Sequence, residues 1–248
     1  MVHKILEEFI SSCKEHSHYE HLNECPSHFE EWTEKRHLRH DYHKWIRKES
    51  NVPSLRLDID FPFKEVYDEA MNAEVHLIKH RGSAHPGWES MAVHGQAVWA
   101  TDPPKNNPEL EGVDFHWTEL ADICPRTVEW FKDCWPTQGY QRIRFMMLRD
   151  GGFIRPHQDL DRRELSAMNI ALNNPDGCEF AMEDAGIIPW VPGDVRLIDV
   201  GRRHCVWNQS GKDRLHMIVH DKWTPAQYDI VCRSYDLLKR DYLPFTNA

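Results

Sequence analysis

A mainly β fold with helices (α+β), a jelly-roll core behind an α-helical N-terminal region, is what this 248-residue sequence predicts. Three observations carry the prediction. From about residue 140 onward, short apolar segments alternate with the turn signals Gly-Gly, Asn-Asn-Pro-Asp-Gly, Pro-Gly-Asp and Gln-Ser-Gly-Lys-Asp. No crossover helix fits between them, which favours a barrel or jelly roll over βαβ units. The first fifty or so residues are rich in Glu, Lys and His, with Phe9, Phe29, Trp32 and Trp45 at intervals that suit short amphipathic helices. A hydrophobic content of 40% over this length supports a sizeable core.

Taken in order, residues 1–60 form a mostly helical lead-in, broken at Asn51-Val52-Pro53-Ser54. LRLDIDF at 55–61 alternates apolar with polar residues as a half-buried strand does, Pro62 stops it, and 63–73 resumes a helical period. VHLIKH (75–80) and SMAVHG (90–95) read as strands around a Gly/Pro-containing loop. The stretch 101–115, TDPPKNNPELEGVDF, holds too many breakers for regular structure and suits a lid or a surface excursion. Residues 120–135 read as helical with an interruption near Pro125. Strands follow at 143–149, 165–172, 195–200, 204–208 and 214–221, and a C-terminal helix over 224–248. No repeat, low-complexity tract or Gly/Ser linker divides the chain, so a single domain over 1–248 is expected, with its metal-binding β core at 141–223.

Composition narrows the function. Thirty Lys and Arg against forty Asp and Glu leave a net charge of −10, which makes nucleic acid a poor partner. No apolar run is long enough for a bilayer, and the opening MVHKILEEFISSCKEH is interrupted by carboxylates, so a soluble, cytoplasmic protein with no membrane partner is expected. Seven scattered cysteines without a CxxC pair suit free thiols in a reducing compartment.

Seventeen histidines stand out. His157-Gln158-Asp159 follows GGFIRP, and on an extended backbone residues i and i+2 project to one side, so imidazole and carboxylate can meet one ion. A lone HxD is common by chance and would read as a solvated loop if nothing followed. His204 comes 47 residues later at the head of the strand HCVWN, and Arg214 ten residues beyond it. Two His and one carboxylate on one barrel face form the facial triad that holds Fe(II) and leaves adjacent positions open for a bidentate cosubstrate and dioxygen. The planar fork of Arg214 suits the distal carboxylate of such a cosubstrate.

The segments RFMMLRDGGFIRPHQD, LSAMNIALNN and PGDVRLIDVGRRHCVWNQSGKDRLHMIVHDKW resemble the aspartyl/asparaginyl β-hydroxylase family of Fe(II)- and 2-oxoglutarate-dependent dioxygenases, proline cis-hydroxylase-like members included, over about 141–223. The resemblance implies a double-stranded β-helix (cupin-like), with His157, Asp159 and His204 as catalytic iron ligands and Arg214 as the partner of the 2-oxoglutarate carboxylate. It implies Fe(II), 2-oxoglutarate and dioxygen (O2) as the cofactor set. The family often places an Arg and a His two residues apart on the strand after HxD, where this chain has Ala167 and Asn169. Asn169 can still donate a hydrogen bond to a cosubstrate carboxylate, which leaves more to Arg214. Asp159 also separates this chain from the vertebrate membrane-bound members, which lack that carboxylate, and argues against halogenation.

Other residues have plainer readings. His216 shares strand parity with Arg214 and reads as its hydrogen-bonded neighbour, outside the metal set. Arg142 and Arg144 share a face; either could meet a substrate carboxylate, but ion pairing with the many Asp and Glu residues is the expected role. Trp190 and Trp207 read as core. His37, His40 and His43 read as a solvated helix face, and Trp88 and His94 are candidates for substrate contact. The expected function is hydroxylation of an unactivated C–H bond in a small amino acid, probed as the free molecule, or a related polar acid, with release of succinate and CO2. The alternatives are hydroxylation of Asp, Asn or Pro side chains within a protein or peptide, and a non-catalytic cupin-like metal-binding module, which would have no need of Arg214. The sequence leaves the oligomeric state open.

Overall fold

The computed structural model describes residues 2–30, 32–81, 84–103 and 106–242. At the N-terminus, α1 (Val2–Cys13) buries Leu6, Phe9, Ile10 and Cys13, the spacing of one helix face. α2 (Arg36–Lys48) buries Tyr42, His43, Trp45 and Ile46. Both helices fall in the polar lead-in, whose four marked aromatics Phe9, Phe29, Trp32 and Trp45 are all buried.

β1 (Ser54–Arg56), α3 (Phe63–Asn72), β2 (Ile78–Lys79), β3 (Trp88–Gly95), β4 (His116–Trp117) and α4 (Pro125–Cys134) follow. The remaining elements are β5 (Tyr140–Leu148), β6 (Phe153–His157), β7 (Leu165–Ala171), β8 (Cys178–Met182), β9 (Gly186–Ile187), β10 (Val195–Asp199), β11 (His204–Asn208), β12 (Arg214–Asp221) and α5 (Pro225–Tyr242).

The strands form two antiparallel sheets. The larger runs β1, β10, β7, β12, β5, β3, β2, with β4 beside β3; the smaller runs β6, β11, β8, β9. This is the expected jelly roll, and the period-two alternation of its strands explains how it is filled. On β5, β7, β10 and β12 one parity, including Ile143, Phe145, Met147, Met168, Ile170, Leu197, Leu215, Met217 and Val219, joins the main core with Tyr42, Trp45, Phe131 and Tyr235 from the helices. The other parity faces the smaller sheet. Its apolar members Leu148, Ala171 and Ile198 pack with Ile154, Phe180, Met182 and Val206, and between the sheets lies a cavity that Ile154, Phe180, Ile198 and Val206 line together with polar residues. α1 covers the far side of the smaller sheet through Phe153, Ala181, Cys205 and Trp207.

Four strands depart from the sequence expectation. The strand over 55–61 shortens to β1: Leu57 N–H still bonds Val195 O at 2.7 Å, but Asp58 N–H turns to Ser234 Oγ at 2.8 Å, so the chain leaves the sheet for α5. The strand over 75–80 shrinks to the two residues of β2, after a 3₁₀ turn at Glu74–His76. β6 and β8 carry no clear alternation in sequence, and β6 contains Pro156, which is tolerated because β6 is an edge strand. The final helix is described as Pro225–Tyr242; the rest of the expected 224–248 span lies outside the described residues. All seven cysteines are free thiols. No helix among the described residues is long and apolar enough to cross a membrane.

Candidate functional site

The cavity between the sheets has a volume of about 730 Å³, and His157, Asp159, Asn169, His204 and Arg214 all line it. β6 and β11 are antiparallel neighbours in which His157 and His204 are register partners, so their rings share a face with centroids 4.4 Å apart. Asp159 follows in a bend whose backbone N–H bonds Val200 O at 2.9 Å, holding it against the turn between β10 and β11. That contact needs Gly201, because a Cβ there would overlap the Arg162 carbonyl. The buried Asp199 carboxylate ties the same corner together, accepting from Glu164 N–H (2.8 Å), Gly201 N–H (3.1 Å) and Arg202 Nε (3.1 Å).

One nitrogen or oxygen from each of His157, Asp159 and His204 lies within 4.8 Å of the others, with His157 Nε2 and Asp159 Oδ1 at 3.7 Å. Each imidazole is oriented from behind: His157 Nδ1 lies 2.8 Å from Arg155 O, and His204 Nδ1 2.8 Å from Arg202 O. A carbonyl can only accept, so Nδ1 carries the proton in both rings and Nε2 presents its lone pair. Burial, followed by the neighbouring His157, pushes His204 down to about 4, so its ring is neutral at ordinary pH. Two lone-pair imidazoles and one carboxylate on a single face are a donor set that fits a divalent transition metal. Among the described residues, one other group of this kind, His16, Glu20 and His21, lies on the surface outside the cavity.

Arg214 opens β12 opposite Leu148 and is 4% exposed. Its Nη2 donates to His216 Nδ1 at 2.8 Å, while its Nε and His216 Nε2 have no hydrogen-bond partner among the described residues. No carboxylate of the described residues pairs with it, and burial pushes the guanidinium down to about 10. Burial and Arg214 together hold His216 well below the ordinary histidine range. A buried cation without a counter-charge is costly in a folded protein, and a carboxylate-bearing ligand in the cavity would neutralise it. Asn169 lies one strand away, opposite Ile218 of β12, with Ala167 beside it on the cavity wall.

The plainer readings divide. His216 is Arg214's partner, ring edge-on to Trp190 with centroids 4.7 Å apart. Trp207 packs beneath α1 and Trp190 between the sheets. Trp88 reaches the cavity, but His94 packs between Trp117 and Tyr140, away from it. His37 and His40 are exposed, whereas His43 is buried and stacked on Tyr228, a correction to the solvated face expected for all three. Arg142 and Arg144 correct the expectation more sharply, since among the described residues neither meets an Asp or Glu within ion-pair distance. Both donate instead to the Thr101 carbonyl, at 3.2 and 2.6 Å. Sequence reasoning missed His80, buried on the cavity wall and bonded to Ser90 Oγ and Thr101 Oγ1, because nothing in VHLIKH marks which residues face inward.

Residues 67–225 match the model of a family described as aspartyl/asparaginyl β-hydroxylase. Comparison with curated proteins returns no match. Among solved structures, the chain is similar to a Pseudomonas putida prolyl-4-hydroxylase at 15% identity and a TM-score of 0.44, covering 73% of this chain and 99% of that one. It is also similar to an oxidoreductase of the 2OG-Fe(II) oxygenase family from Burkholderia pseudomallei (14% identity, TM-score 0.40, 84% and 96% covered). A third is a viral collagen prolyl hydroxylase from Paramecium bursaria Chlorella virus 1 in a 2OG complex (14% identity, TM-score 0.40, 68% and 95% covered).

Proposed function

The chain belongs to the aspartyl/asparaginyl β-hydroxylase family, and from that premise we propose that it hydroxylates an unactivated C–H bond of a small amino acid or related polar acid. It is a 2-oxoglutarate-dependent Fe(II) oxygenase. The observation that carries the reading is the meeting, in one cavity, of two lone-pair imidazoles and a carboxylate with an unneutralised buried arginine.

In this proposal His157, Asp159 and His204 hold the iron, and Arg214 takes the distal carboxylate of 2-oxoglutarate; the Asn169 amide, opposite Ile218 and so four residues along β12 from Arg214, is a donor toward the other end of that cosubstrate. Iron, 2-oxoglutarate and dioxygen supply the oxidising chemistry when bound, with succinate and CO2 as coproducts. The chain's own contribution is geometric and electrostatic. The Arg155 and Arg202 carbonyls fix the two ring tautomers, the Asp199 corner sets the position of Asp159 against His204, and the apolar side chains of Ile154, Phe180, Ile198 and Val206 on the cavity wall limit the water around them. His216 accepts from Arg214 and so holds the guanidinium plane in place.

A cavity of about 730 Å³ falls in the range of small-molecule sites and has room for a cosubstrate and a small substrate together. The test is succinate formation from 2-oxoglutarate by iron-loaded protein across free L-amino acids, proline included, and short peptides. Stimulation by a free amino acid supports the proposal. Stimulation by peptides alone would replace it with hydroxylation of residues within a polypeptide, and iron binding without 2-oxoglutarate turnover would point to the non-catalytic module.

A further inference from the structure

A second cationic point faces the cavity, and it rests on different residues from the first. Arg142 and Arg144, 9% and 5% exposed, project inward from β5 two residues apart. Their guanidinium groups converge on one oxygen, the Thr101 carbonyl, at 3.2 and 2.6 Å. Arg144 Nη2 also meets His220 Nδ1 at 3.2 Å, and its Nε has no partner among the described residues.

The charges around the pair do not balance it. His80 is buried and His220 half-buried, and both are held neutral, mainly by desolvation. Asp102, the nearby acid, lies 3.4 Å from Arg81 Nε and 3.9 Å from His80 Nε2 and acts on Arg142 and Arg144 without ion-pairing to either, so its one charge is shared among three guanidinium groups. Asp159 faces the same cavity but is assigned to the metal. Two guanidinium groups thus remain without a carboxylate partner, with donors gathered within reach of one small anion.

This point is separate from Arg214. Arg144 lies opposite Ile218 of β12, four residues along from Arg214. At the rise of an extended strand that is roughly 13 Å, too far for one short carboxylate group and far enough for two ligands placed in sequence.

We propose that Arg142 and Arg144 bind the carboxylate of the hydroxylated substrate, making an acid the substrate class. The inference rests on the functional reading above, in which Arg214 serves 2-oxoglutarate. The carboxylate can be the α-carboxylate of a free amino acid or the side chain of an acidic residue in a peptide. Arg142 and Arg144 act on it as binding and orienting groups, and Thr101 O keeps their donors gathered before it arrives.

The test is calorimetric titration of protein loaded with Zn(II), which prevents turnover, and saturated with 2-oxoglutarate. The titrants are free L-amino acids, their carboxamides, and a short Asp-containing peptide with its Asn counterpart. An acid is expected to bind, with its amide counterpart and the Arg144→Gln variant each weaker by about 10- to 100-fold. Binding by free acids or only by the Asp peptide identifies the source of the carboxylate, and either supports the proposal. Arg142→Gln, at the less buried position, is expected to act in the same direction, and Arg144→Lys to recover part of the affinity.

A merely structural role predicts otherwise. In that case Arg144→Gln would lower the melting temperature and loosen acids and amides alike. Equal binding of acids and amides, unchanged acid affinity in both Gln variants, or no carboxylate binding across the panel would overturn the proposal. Failure of the wild-type protein to bind 2-oxoglutarate is distinguishable from all of these and would overturn the functional reading instead.

Discussion

Replacing Arg214 by methionine removes the buried charge while keeping an unbranched side chain of similar reach. Burial pushes the guanidinium down to about 10. That is roughly two pH units below an ordinary arginine, and at about 1.4 kcal/mol per unit it amounts to about 3 kcal/mol of poorly compensated charge. A base held below its ordinary value has its charged form disfavoured in the folded state, so this energy is present at every pH below about 10 and a neutralising carboxylate recovers it. Arg214→Met should therefore weaken 2-oxoglutarate by about two orders of magnitude, while the ligand-free variant melts no lower than wild type. Calorimetric titration of 2-oxoglutarate into metal-loaded protein, with parallel thermal melts, measures both. A dissociation constant within about a factor of two of wild type, or a ligand-free variant that is strongly destabilised, would refute the reasoning.

Asp159→Ala removes the one carboxylate of the proposed triad, and metal retained after dialysis and succinate formation should both fall to background; unchanged turnover would contradict the ligand assignment. Burial, followed by Arg47 and His40, pushes His43 down to about 3. The unfolded chain therefore takes up a proton that the folded one does not, and stability is lost as pH falls from about 6.5 towards 3, by about 2 kcal/mol at pH 5. His43→Phe should lose that component, seen as a flatter pH dependence in denaturant titrations, and parallel curves for variant and wild type would contradict it. Gly201→Ala forces a Cβ into the Arg162 carbonyl, so it should cost about 1–3 kcal/mol and weaken metal binding; an unaltered melt would show that the turn and loop do not need this approach.

What could be read from the residues alone follows from where one physical signal dominates. The strands at 204–208 and 214–221 match β11 and β12 because strong turn chemistry brackets each of them. HxD, the later His and the Arg ten residues on were legible as a set because ligand chemistry permits few residue types at such spacing. The stretch 55–61 misled because its alternation continues into packing against the helices after the sheet contact ends, Phe61 on Trp130 of α4, and local periodicity cannot separate those causes. β6 was hidden by Pro156, whose tolerance depends on an edge position that only the assembled sheet defines. Arg142 and Arg144 looked like ion-pair partners in an acidic chain, because charge counts carry no information about which carboxylates reach the interior. The burial of His43 was equally out of view, since it depends on Tyr228 arriving from α5.

Anomalous diffraction from crystals grown with Mn(II) and 2-oxoglutarate tests the central claim most directly. The account predicts a single cavity ion bound by His157 Nε2, Asp159 and His204 Nε2, with the distal carboxylate of 2-oxoglutarate on Arg214. An ion only at the surface group His16, Glu20 and His21, or a distal carboxylate seated on Arg142 and Arg144 instead of Arg214, would contradict it.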